Sequence, residues 1–142
     1  MEHILDNNQA KAFILAGKAT FTVQNADTGR RFTFNVVKPK EHTPHFVKVL
    51  TSPDNEGGYS YLGTIFDGQT YRHGRKSRIS QDAQSAKVFD WFWRHLLTDD
   101  LPEAINVYHE GCCGRCGRKL TVPGSILMGY GPECIKIVGM VH

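Results

Sequence analysis

Hydrophobic positions change period along this chain, and the changes divide it into elements. From Thr20 to Asn25, Phe21 and Val23 alternate with polar residues. From Arg31 to Val37, Phe32, Phe34 and Val36 do the same. A period of two predicts strands with one buried face. Asp27-Thr28-Gly29 between them suits a short hairpin loop with glycine in the left-handed region. Lys38-Pro39-Lys40 and Pro44 mark a loop. A third strand is predicted over His45 to Thr51 and a fourth over Tyr59 to Phe66, separated by a turn-rich Ser52 to Gly58. Asp67-Gly68 is a hairpin signal leading to a short fifth strand through Tyr71. These runs predict an antiparallel meander of four or five strands.

The period then lengthens. Phe89, Phe92, Trp93 and Leu96 fall at i, i+3, i+4 and i+7, which puts them on one face of a helix predicted over Gln81 to Leu97. Ser80 or Asp82 is its expected cap, and Asp99 to Pro102 ends it. This stripe is expected to cover the sheet. A shorter helix is predicted over residues 1 to 17, burying Ile4, Leu5, Ala12, Phe13 and Leu15 and stopping at Gly17. Ile105 to His109 reads as a strand entering a cysteine-rich segment. The expected fold class is α+β: an antiparallel β-meander packed on a helix over residues 1–104, then a small treble-clef or ribbon-like zinc module over residues 105–142.

Composition narrows the class. The 142 residues are 40% hydrophobic and 11% aromatic, which fits a globular domain and excludes a disordered tail. Apolar runs such as Ala12 to Ala16 are too short to span a bilayer. The N-terminus carries Glu2 and Asp6 without a basic region and apolar stretch, so no signal peptide is expected. The formal charge is +3. Residues 1–71 balance seven Lys/Arg against seven Asp/Glu, whereas residues 72–142 hold ten against seven. Four of those ten, Arg72, Arg75, Lys76 and Arg78, share one short stretch. Such a stretch suits phosphates, although a solvated linker has the same composition. Arg115, Arg118 and Lys119 add positive charge among the cysteines.

All four cysteines lie between Cys112 and Cys134. Disulfides of secreted proteins staple distant loops, so a local cluster in a reducing compartment points to metal. Cys113 and Cys116 form a C-x-x-C turn with glycine after each cysteine, as amides turning toward a metal-bound sulfur require. Pro132 suits a first helical turn, where the Cys134 thiolate would gain from the helix dipole. For the fourth ligand, His109 at the end of a predicted strand competes with Cys112. Adjacent side chains diverge on extended backbone, which favours His109. The expected set is therefore His109, Cys113, Cys116 and Cys134 around a structural Zn2+, contributing on the order of 10 kcal/mol or more to folding of the last third. The bland alternative is a set of free or redox-active thiols. Gly114-Arg115 followed by Gly117 is a poor helix start for a thioredoxin-type motif.

The stretch from Cys113-Gly114-Arg115-Cys116-Gly117-Arg118-Lys119-Leu120-Thr121-Val122-Pro123 through Ser125-Ile126 to Gly129-Tyr130-Gly131-Pro132-Glu133-Cys134 resembles a small C-terminal domain of phage and prophage proteins. Phe46-Val47 and Tyr61-Leu62-Gly63-Thr64-Ile65 resemble segments that accompany it. The resemblance implies a viral or prophage origin, hence a bacterial host cytoplasm, and no activity. Cys112 departs from the pattern, which supports His109.

Other candidates are weaker. Tyr59 and Tyr61 share a strand face and are suited to stacking bases or, more ordinarily, to sheet packing. Trp91 lies off the main helix stripe and is expected at the surface as a partner anchor or in the core. His42, His45 and His73 have no carboxylate or nucleophile at a telling spacing, and no phosphate loop, H-E-x-x-H or G-x-S-x-G occurs, so an enzyme is not expected. Two readings of function follow. One is a phage zinc protein that binds nucleic acid through its basic second half. The other is a protein-binding viral inhibitor of a host defence or nuclease complex. Neither has a membrane or small-molecule substrate.

Overall fold

The computed structural model describes residues 3–51, 58–109 and Arg115. Seven antiparallel strands form one sheet, in the order β1-β7-β2-β3-β4-β5-β6. They are β1 (His3–Leu5), β2 (Lys18–Asn25), β3 (Arg31–Val37), β4 (His45–Leu50), β5 (Tyr59–Phe66), β6 (Thr70–His73) and β7 (Ile105–His109). Two helices, α1 (Asn7–Ile14) and α2 (Gln84–Leu97), complete the described elements. The expected meander is β2 to β6. Its Gly29 turns at φ 75°, and Asp67-Gly68 turns at 54° and 66°, the paired positive angles of a tight hairpin.

Two expectations are corrected. The first 17 residues are not one helix, because β1 precedes α1. Asp6 stops helical continuity and caps α1: its carboxylate accepts the Gln9 amide at 2.8 Å, while the Gln9 side chain accepts the Asp6 amide at 3.0 Å. Ala10, Phe13 and Ile14 are therefore the buried positions of α1, and Ala12 and Leu15 are only half-buried. The second helix starts at Gln84 rather than Gln81. Its cap residue is Ala83, which makes no side-chain cap bond, and the Ser80 hydroxyl instead accepts the Asp82 amide at 3.2 Å.

The α2 stripe is as expected: Phe89, Phe92, Trp93 and Leu96 are fully buried. Phe89 meets Phe34 edge-on at 4.9 Å and Tyr71 at 4.8 Å, and Phe21 lies 6.3 Å from Phe92. The buried Trp93 indole donates to the Gln69 carbonyl at 2.8 Å, so its polar edge is satisfied. From the sheet, Ala19, Phe21, Val23, Phe34, Val36, Val47 and Val49 join this core with α1's Phe13 and Ile14. Both helices thus cover the same face.

One irregularity matters for the surface. Val47 pairs with Gly63 and Lys48 with Tyr61, leaving Leu62 as an extra residue on β5. This bulge accompanies a Leu62 side chain that is fully buried in the core.

Replacing Phe89 with alanine should cost about 3–5 kcal/mol of stability in urea unfolding. Asp6→Ala should cost about 1 kcal/mol. A loss at Phe89 no larger than that at Asp6 would contradict a core centred on the α2 stripe.

Candidate nucleic-acid and metal sites

The register of the strands sorts every charged strand residue onto one side. Lys18 pairs with Val37, Arg31 with Gln24, Lys48 with Asn35 and Arg72 with Thr64. Each lies one position from a core residue, so all four point away from the helices. All four are exposed, and no described strand carries an aspartate or glutamate. Lys18, Val37, Phe46, Thr64 and Arg72 form one continuous cross-strand row. Four strand spacings separate its ends by roughly 19 Å. Toward β7 the same face closes, since Thr22 and Tyr108 are buried.

The basic stretch after β6 is an anchored loop. The Gly74 amide donates to the Leu62 carbonyl at 3.0 Å, extending the β5–β6 pairing past Gly63 and His73. The Ser77 hydroxyl donates to the Tyr61 carbonyl at 2.7 Å and accepts the Ile79 amide at 3.1 Å. His73 Nε2 donates to the Ile79 carbonyl at 2.9 Å. A side chain at Gly74 would overlap the Tyr61 ring, so only glycine allows the loop this close. Arg75, Lys76 and Arg78 are held exposed at the rim of the charged face, and none forms an ion pair among the described residues.

Tyr59 and Tyr61 do share the helix-free face, opposite Leu50 and Lys48. Tyr61 is half-buried by packing: its hydroxyl bonds Thr64 at 2.6 Å and its ring meets Phe46 at 6.5 Å. Phe66 lies on this face at the β5–β6 turn and is 42% exposed. Lys18, Arg31, Lys48 and Phe66 were not singled out by motif. Their parity with neighbouring core positions was the available signal.

Of the metal-ligand set, His109 is described and Cys113, Cys116 and Cys134 lie outside the described residues, as do Cys112, Arg118 and Lys119. Among the described residues no group of three or more metal-binding side chains converges. His109 ends β7, 2% exposed, on the helix-covered side with its ring 5.8 Å from Phe13. Arg115, between Cys113 and Cys116 in the chain, is exposed and packs its backbone on the end of the same helix. A methyl group at Gly17 would meet the Arg115 carbonyl oxygen at 3.2 Å, and Gly17 has φ 132°. One imidazole and three thiols are a donor set that zinc accepts, and of these His109 alone is described.

Residues 106–139 are similar to DUF6011, a family of unknown function. That match begins inside β7, so the matched segment is rooted in the sheet. No curated protein and no solved structure matches the chain. Among the described residues no helix is long and apolar enough to cross a membrane.

Of the remaining candidate histidines, His45 and His73 bond backbone carbonyls. His45 Nε2 donates to the Leu15 carbonyl at 3.0 Å, closing the end of α1. Burial holds its pKa below the usual 6.5; the Leu15 bond opposes this and Lys38 adds to the lowering. Burial, and then Asp90, pushes the Tyr71 phenol above its usual range. His42 is exposed. Trp91 is half-buried, tilted over His95 at 4.5 Å, and lines an apolar groove of about 560 Å³ with Val23, Phe32, Val88 and Ile105.

A histidine held neutral by burial takes up protons more readily once unfolded. Its contribution is complete above pH 6.5 and drains away as pH falls toward its lowered folded-state value. Unfolding midpoints measured at about pH 7.5 and about pH 5 should therefore diverge, and His45→Gln should narrow the gap. An unchanged gap would assign the acid sensitivity elsewhere.

Proposed function

We propose that this chain is a non-enzymatic, zinc-carrying protein that binds nucleic acid through the helix-free face of its sheet and the loop from Arg72 to Arg78. The observation that carries the reading is the sorting of charge: Lys18, Arg31, Lys48 and Arg72 all face one way, with no strand carboxylate beside them. Arg75, Lys76 and Arg78 extend the positive rim at one end. A polyanion gains from such a surface through release of its counterions.

His109, Cys113, Cys116 and Cys134 would hold zinc in a structural role, fixing the last third of the chain to the end of α1. The resemblance of the cysteine segment to phage and prophage domains supports a viral origin and action in a bacterial cytoplasm. A second reading, a viral inhibitor that binds a host defence or nuclease complex, draws on the apolar groove beside Trp91. A partner retained after nuclease treatment and lost in Trp91→Ala would favour it.

Two measurements test the first reading. With four cations engaging phosphates, raising salt from about 50 mM to about 200 mM should weaken binding on the order of a hundredfold. Reversing Arg75, Lys76 and Arg78 to glutamate should abolish binding at the higher salt, and affinity indifferent to both changes would refute the reading. For the metal, elemental analysis should find about one zinc per chain. Cys112→Ser should keep it, while His109→Leu, which preserves buried volume, should lose it. Full zinc retention in His109→Leu would remove His109 from the ligand set.

A further inference from the structure

The open face carries rings as well as charge. Along β4 and β5 lie Phe66, Phe46, Tyr61 and Tyr59, on one side of the sheet. Equivalent positions two residues apart on a strand are separated by roughly 6.6 Å. Lys48 stands beside Tyr61, and Arg72 lies one residue from Phe46 across Thr64. The three inner rings are half-buried, and Phe66 is the one large hydrophobic side chain exposed among the described residues.

A duplex cannot use this surface for its bases. The open face from β2 to β6 spans roughly 19 Å, wider than the ~12 Å major groove. Base faces in a duplex are also stacked on one another and closed to a side-chain ring. An unpaired strand has neither obstacle: it can lie flat across a sheet, set its phosphates against lysine and arginine, and lay bases on aromatic rings.

We infer that the ligand of this face is single-stranded nucleic acid, with Phe66 as the stacking residue and Lys48 and Arg72 as the phosphate contacts beside the ring line. The inference rests on the nucleic-acid reading above and adds the strandedness of the ligand. Phe66 closes the β5–β6 hairpin opposite Thr70, so its ring stands at the end of the line where an incoming base has room. Glu41 and Asp67 lie near Phe66 in the adjoining groove, with Lys38 and His42. Those carboxylates disfavour a path over that loop and direct the strand from Phe66 toward Lys48 and Arg72.

The test is fluorescence anisotropy on the full zinc-loaded chain. The probes are a labelled oligothymidylate of about 12 nucleotides and a labelled duplex of matched phosphate number, at one fixed salt concentration. The single strand should bind at least tenfold more tightly than the duplex. Phe66→Ala and Phe66→Leu should each weaken single-strand binding by roughly tenfold while leaving its salt slope unchanged, and Phe66→Tyr should restore it. Because Phe66 is exposed, the thermal midpoint should stay within a few degrees in all three variants. Equal affinity for the two probes, or silence at Phe66 in a chain that binds, overturns the inference and leaves the nucleic-acid reading standing. If neither probe binds, or if Lys48→Glu with Arg72→Glu changes nothing, both fall together.

Discussion

Among the described residues, the fold depends on a core concentrated on one side of the sheet. Phe89, Phe92, Trp93 and Leu96 of α2, with Phe13 and Ile14 of α1, cover the inward residues of the strands. Apolar burial is the largest favourable term in folding, and here it is concentrated on one face of one sheet. The opposite face has no helix among the described residues. It must carry side chains that tolerate water, and the chain places cations and half-buried rings there rather than a mixed-charge surface. The acidic residues are displaced to turns and to α2, as with Asp67, Asp82 and Asp90. Separation of charge across the sheet is therefore a consequence of how the core is arranged, not of a basic overall composition.

The bulge at Leu62 connects this core to the surface. An extra residue lets β5 bury Leu62 while keeping Tyr61 outside. On the other edge of β5, Gly74 bonds the Leu62 carbonyl and Ser77 secures the neighbouring Tyr61 carbonyl. The arginine-rich stretch becomes a fixed loop through backbone bonds that spare its charged side chains. Ion pairing would have immobilised it equally well and neutralised it.

Much of the fold was legible from alternation. The meander followed from Phe21, Val23, Phe32, Phe34 and Val36, and the α2 stripe from its helical spacing. The start of the chain was not, because three strand residues are too few to show a period, and Ile4 and Leu5 fit a helix equally well until β7 is known to pair with them. The start of α2 was misplaced because the Ser80 hydroxyl is spent on the Asp82 amide in the preceding turn, and the helix begins after Ala83. The loop residues Arg72, Arg75, Lys76 and Arg78 stood out as a cluster in sequence. Lys18, Arg31 and Lys48 did not, since they are isolated along the chain and gathered only by strand register. The bulge has no local signature at all. Of the proposed zinc ligands, His109 is buried where β7 ends, whereas the three cysteines lie outside the described residues.

Strand order also imposes an order of synthesis. β7 lies between β1 and β2, and among the described residues β1 pairs with β7 alone. β1 must therefore wait for a strand made about a hundred residues after it. Until His109 has emerged, β2 presents a bare edge, and bare edges invite pairing with other chains. β1 and β7 are thus bound into one late event, so a nascent chain truncated before Ile105 would leave β1 without its partner strand as well.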